Sequence, residues 1–145
     1  MEVKGEPCNR IITLENSFHG RTVITFSATG QDIFHQNFFP FTEEFCYVPA
    51  NDIQTFHEAV DHTVCAVMIE LVQGESGVNV LAKEYVKSVE RVCKENGILL
   101  IVDEVQTGAA GRVRFYAVNS MRYIRIWLLW RMDLGQASNR STPYV

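Results

Sequence analysis

Two unbroken apolar runs, Val64 to Ile69 and Ile98 to Val102, frame a stretch whose apolar residues recur at helical spacing. In neither run do polar and apolar residues alternate, which is how a parallel strand buried on both faces reads. Between them, Ala82 to Asn96 sets Tyr85, Val86, Val89, Val92 and Cys93 in one stripe. Lys83, Lys87, Glu90, Arg91, Lys94 and Glu95 turn to water. Asn96-Gly97 is a C-terminal cap signal. Strand, helix and strand of this kind form a βαβ unit, predicted to pair in parallel with a right-handed crossover.

Upstream, Arg10 to Leu14 reads as a first buried strand. It opens into Glu15-Asn16-Ser17-Phe18-His19-Gly20-Arg21-Thr22, where Asn16 and Ser17 suit a helix N-cap and Gly20 permits close backbone approach. A short helix or turn is predicted through Thr29, ended by Gly30. Gln31 to Glu44 carries Phe34, Phe38, Phe39 and Phe41 and reads as an irregular loop anchored by ordinary aromatic packing. Phe45 to Val48 is a short strand stopped by Pro49. Asn51-Asp52 caps a helix to about Ala59, with Ile53, Phe56 and Val60 on one face.

Each long apolar run delivers an acid at its carboxyl end. Asp103, Glu104 and Gln106 follow one strand; Glu70, and then Gln73-Gly74-Glu75-Ser76-Gly77, follow the other. Such residues either turn the chain into solvent or stand where an open α/β sheet binds its ligands, just outside the carboxyl ends of the strands. Parallel pairing opens both loops on one edge of the sheet, which favours a site.

The chain has 145 residues, 47% of them apolar, enough for one core. A net charge of −4 argues against a nucleic-acid surface. The four cysteines, Cys8, Cys46, Cys65 and Cys93, form no C-x-x-C pair; Cys65 and Cys93 read as buried free thiols of a reducing compartment. The histidines lack metal-ligand spacing, so no metal is expected. With no basic-then-apolar leader and no membrane-spanning run, a soluble cytoplasmic protein is the expectation.

Four blocks carry a resemblance: Glu15-Asn-Ser-Phe-His-Gly-Arg-Thr22, Val48-Pro-x-Asn-Asp52, Gln73-Gly-Glu-x-Gly-Val78 and Asp103-Glu-Val-Gln-Thr-Gly108. In this order and spacing the chain, from about Arg10 to Gly108, resembles the class III aminotransferases, and within them the acetylornithine aminotransferases of arginine biosynthesis. The resemblance implies an α/β fold, part of the large domain of a fold-type I enzyme, with a mainly parallel sheet and flanking helices. It implies a homodimer that uses pyridoxal 5′-phosphate at its interface. By position, Asp103 would pair with the pyridine nitrogen and keep it charged. Gln106 would bond the ring's 3-hydroxyl, Val105 would pack on one ring face and Phe18 would stack on the other; His19 belongs with these cofactor-binding residues. Arg21 would clamp the substrate α-carboxylate, Glu75 would recognise the distal part of the substrate, and Glu70 would be an acid that supports the site without touching cofactor or substrate. The reaction implied moves an amino group from N-acetylornithine, or a related ω-amine, to 2-oxoglutarate, giving glutamate. Ornithine, succinylornithine and succinyl-diaminopimelate remain open as donors.

The resemblance also breaks. The family's Schiff-base lysine lies downstream of the Asp103 strand, yet no lysine follows Lys94, so no catalytic residue is assigned. The family's glycine/serine phosphate clamp is absent too. Residues 1–111 are therefore read as a partial cofactor-binding large domain, and 112–145 as a tail out of frame. Regrouping each codon's last base with the next two lets Val118 to Met121 give Glu-Gln-Tyr and Ile124 to Trp127 give Pro-Asp-Met. The family has E-x-Y-G-x-x-P-D-I/M there. The fragment is expected to be inactive. The alternative is a non-catalytic remnant able only to associate with a full-length subunit.

Overall fold

A computed structural model describes residues 8–35 and 40–105. Four parallel strands form the main sheet: β1 (Arg10–Leu14), β2 (Phe45–Val48), β3 (Val64–Glu70) and β6 (Leu99–Asp103), in the order β2-β1-β3-β6. A two-stranded antiparallel hairpin, β4 (Val72–Gln73) and β5 (Asn79–Val80), stands between β3 and the long helix. The sequence pattern does not reveal this hairpin, since two-residue strands leave no periodicity. Helices are α1 (Val23–Ala28), α2 (Asp32–His35), α3 (Ile53–Ala59) and α4 (Lys83–Asn96).

The α4 stripe predicted from spacing is buried in full: Tyr85, Val86, Val89, Val92 and Cys93. They pack with Phe56 of α3 onto one sheet face, made of Ile12 and Leu14, Val67 and Ile69, Leu100 and Val102. The register Ile12↔Val67↔Leu100 puts these side chains on one side because the strand period is two. Gly97 closes α4 in the left-handed region, φ 68, and its neighbour Ile98 donates its backbone N–H to Cys93 O.

The opposite face carries Thr13, Met68, Glu70 and Asp103. Helix α1 sits on its β1–β2 side, where the Tyr47 hydroxyl donates to the Ser27 carbonyl oxygen. Phe26 stacks on Phe41, with ring centroids 6.1 Å apart, and His35 lies 4.9 Å from Phe41. The aromatic anchoring expected of this segment is therefore met by Phe41, but 32–35 is a short helix rather than loop. Phe38 and Phe39 lie outside the described residues.

Several local expectations are corrected. Thr22, and neither Asn16 nor Ser17, caps α1, with Thr22 Oγ1 and Thr25 closing a capping box. Asn16 is used in the left-handed turn that leaves β1, φ 63, and the Ser17 hydroxyl accepts the Gly30 N–H at 3.1 Å. Asp52 caps α3 as expected, accepting from Thr55 N at 3.0 Å; Ile53, however, is 39% exposed and leaves the buried face to Phe56. Leu99 and Ile101 are only half-buried, because β6 is an edge strand among the described residues. Cys65 is half-buried, its thiol on the Arg10 carbonyl oxygen.

The strand order has one further consequence. The chain leaves β1 toward β2 on one side, then crosses to β3 and β6 on the other. The direction reverses between β1 and β3, and in open α/β sheets ligands bind outside the carboxyl ends of the strands at such a reversal.

Candidate functional site

At that reversal the last residues of β3 and β6, Glu70 and Asp103, are direct register partners. Both carboxylates are buried, at 2% and 5% exposure. A buried carboxylate requires hydrogen bonds or a counter-charge, and the loop after β1 supplies them. Phe18 N–H donates to Glu70 Oε2 at 2.9 Å. The next residue, His19, turns its ring into the site and donates from Nδ1–H to Asp103 Oδ2 at 2.9 Å. Thus consecutive residues of one loop hang from two neighbouring strand ends.

The loop is itself fixed. His19 N–H donates to Thr29 Oγ1 at 3.1 Å, and Asn16 N–H to the Gly30 carbonyl oxygen at 2.7 Å. The fully buried Gln73 donates from Nε2 to the Glu15 carbonyl oxygen at 2.8 Å, tying the β1 loop to the β4 strand. Thr29 and Gln73 are supporting residues that no local pattern marks: Gln73 stands in the Gln73-Gly-Glu-x-Gly-Val78 block, but its burial depends on strand order.

Asp103 Oδ1 accepts the Val105 backbone N–H at 3.0 Å, which turns the chain just past the strand. The carboxylate thus uses one lone pair on each oxygen and keeps capacity for a further donor. His19 Nε2 is buried and has no partner among the described residues. A buried imidazole with one nitrogen satisfied by protein suits a place that another group completes.

Burial pushes Glu70 up to about 7. The Phe18 N–H and the His19 ring pull it down, and the negative charges of Asp103 and Glu75 push the same way as burial. Burial also raises Glu104.

Of the residues singled out in the sequence, Phe18, His19, Glu70, Asp103 and Val105 are joined in one bonded cluster. Arg21 and Glu75 are exposed, Arg21 just before the α1 cap and Glu75 in the β4–β5 turn, close enough to Glu70 to bear on its charge. Gln106 lies outside the described residues. Among the described residues no group of three or more His, Cys, Asp or Glu could hold a metal ion, and no helix is long and apolar enough to cross a membrane.

A parallel sheet that reverses between β1 and β3, with paired acids at the reversal, defines a class of α/β protein. Comparison with known proteins narrows it. The family described as aminotransferase class-III matches residues 1–124, and the chain belongs to that family. It is 54% identical over 99 residues to an acetylornithine aminotransferase of Caldanaerobacter subterraneus, covering 68% of this chain and 25% of that protein. It is 50% identical over 105 residues to that of Haemophilus ducreyi, covering 72% of this chain and 27% of that protein. The fold superposes on the crystal structure of the ornithine aminotransferase from Toxoplasma gondii with a TM-score of 0.71 and 33% identity, covering 83% of this chain and 29% of that one. A transaminase from a marine Virgibacillus gives a TM-score of 0.70 at 26% identity, covering 81% and 29%. The expected fold-type I architecture, a mainly parallel sheet with flanking helices, is what these neighbours share. The chain spans between a quarter and a third of the length of the relatives it matches.

Proposed function

We propose that the chain is the ring-holding part of a pyridoxal-phosphate-dependent aminotransferase of the acetylornithine type. The observation that carries this reading is the buried carboxylate of Asp103, oriented by His19 and Val105 with acceptor capacity left over. The donor set fits pyridoxal phosphate. A carboxylate can accept a pyridinium N–H and keep that nitrogen protonated, and the His19 proton on its other oxygen fixes the carboxylate plane. When bound, the cofactor withdraws electrons from the bond being broken at the substrate's amino-bearing carbon. The chain's own residues hold and orient: Phe18 and Val105 on the ring faces, Gln106 on the 3-hydroxyl, Arg21 on the substrate α-carboxylate, and Glu75 on its distal end. The donor is N-acetylornithine or a related ω-amine and the acceptor 2-oxoglutarate, in arginine biosynthesis. The intact enzyme is a cytoplasmic homodimer.

Residues 1–111 are part of the large domain, and 112–145 is a tail read out of frame. Since no lysine follows Lys94, the chain alone does not transaminate. The nucleotide sequence tests the frame: codons that forbid Glu-Gln-Tyr across Val118 to Met121 dismiss that part. A second reading, a remnant that associates with a full-length subunit, is favoured by apolar side chains left in solvent, Val23, Ile24 and Ile33 at 65–69% exposure.

Pyridoxamine 5′-phosphate is the probe for the ring site, because it carries the same ring without an aldehyde that would label surface lysines. The chain should bind it saturably, and Asp103→Asn should weaken binding by about tenfold or more, the loss of one charge-assisted hydrogen bond. Equal affinity in the two proteins, or no binding at millimolar ligand, would refute the reading.

A further inference from the structure

We infer that Glu70 is the positioning residue for Phe18: its carboxylate fixes the backbone of that aromatic residue relative to Asp103, and does so in proportion to its charge. The inference rests on the reading of Phe18 as the residue that stacks on the cofactor ring.

The geometry is direct. Phe18 lies in the connection between β1 and α1, outside the strands and helices of the described residues. Its N–H donates to Glu70 Oε2 at 2.9 Å. Glu70 ends β3, a strand that pairs with β1 as far as Val67 and with β6 through Glu70 itself, so its backbone is fixed by the sheet. Asp103 is its register partner on β6. The Phe18 backbone and the acid assigned to the ring nitrogen are therefore referred to adjacent points of one rigid ladder. His19 N–H on Thr29 and the His19 ring on Asp103 prevent the dipeptide from pivoting about the Phe18 bond.

A carboxylate does here what a backbone carbonyl would not. Ionised, it accepts a charge-assisted bond from Phe18 N–H; protonated, it is a weaker acceptor. The charged groups around it are His19 from the β1–α1 loop, Asp103 from β6 and Glu75 from the β4–β5 turn, one potential cation against two acids. Burial outweighs the cation and brings Glu70 to about 7, so the grip on Phe18 changes across neutral pH.

Nuclear magnetic resonance on the intact chain tests this without any cofactor. In the unsubstituted protein the Phe18 amide proton should move with pH through an inflection near neutrality. Glu70→Gln keeps an oxygen acceptor and removes the charge. It should leave the Phe18 amide protected and abolish its titration. Glu70→Ala should speed Phe18 amide exchange by about tenfold or more, the loss of one such bond. A Phe18 amide that titrates unchanged in Glu70→Gln, or is as protected in Glu70→Ala as in the parent, overturns the inference. The wild-type titration needs no variant and decides the case even if Glu70→Ala does not fold. A separate arm tests the link to the ring. Pyridoxamine 5′-phosphate should bind Glu70→Ala more weakly than Glu70→Gln, and equal binding overturns the link. Failure of the parent chain to bind that probe counts against the cofactor reading alone, and the amide data still judge the anchor.

Discussion

The imidazole of His19 and the carboxylate of Asp103 meet at 2.9 Å, although 84 residues separate them in the chain. Both side chains are almost wholly removed from solvent, at 0% and 4% exposure. The contact joins the loop after the first strand to the end of the last described strand, and so spans the reversal of the sheet.

Removing one partner of this pair should cost more than the pair itself contributes. Among the described residues, His19→Ala leaves the buried carboxylate with the Val105 N–H alone. We expect a loss of roughly 3 kcal/mol in unfolding free energy, since breaking a buried pair strands a charge. The double variant His19→Ala/Asp103→Ala should recover part of that loss. Urea unfolding of the four proteins measures the cycle; additive losses would show that the two groups do not couple.

Glu70 makes stability depend on pH in the direction opposite to an ordinary paired carboxylate. Its folded value, about 7, lies above the unfolded value near 4.5. Between these values the folded state therefore holds the extra proton. Stability is greatest below the unfolded value and falls as pH rises toward and through 7. The full swing for this buried group is on the order of 3 kcal/mol. Thermal unfolding between pH 5 and pH 8 should show a falling Tm in the parent chain and a flatter profile in Glu70→Gln. Parallel profiles would remove Glu70 as the cause.

Gly30 is expected to tolerate no side chain. A Cβ there would lie 2.1 Å from the Leu14 carbonyl oxygen and 3.0 Å from Glu15 Cα, both backbone atoms that cannot swing away. The same residue gives its N–H to Ser17 and its carbonyl oxygen to Asn16. Gly30→Ala should cost at least about 2 kcal/mol through a backbone shift. That shift should also loosen Phe18 and His19, seen as faster amide exchange at both. At Gly97, φ 68 but with nothing within 4 Å, Ala should cost only about 1 kcal/mol. Similar unfolding midpoints for the two variants would contradict the packing argument.

The elements were legible where neighbours two to four residues apart decide them. β1 and β2 match their expected spans, and α4 ends at the glycine that its pattern names. Reading failed where a residue's partner is distant. Asn16 and Ser17 carry good capping chemistry, but the sheet uses them to turn out of β1 and to hold Gly30, so the cap passes to Thr22. Leu99 and Ile101 look as apolar as Leu100 and Val102, yet which face is covered depends on what packs there.

That two parallel strands end in acids on one edge is written into the chain, because strand and helix periods are set by side chains close in sequence. It also carried the blocks that resemble a family of aminotransferases. Which groups answer those acids emerges in the folded chain: Phe18 for Glu70 across 52 residues, and His19 for Asp103. Those pairings follow from β1 lying between β2 and β3, a strand order that long-range packing selects and no local pattern encodes.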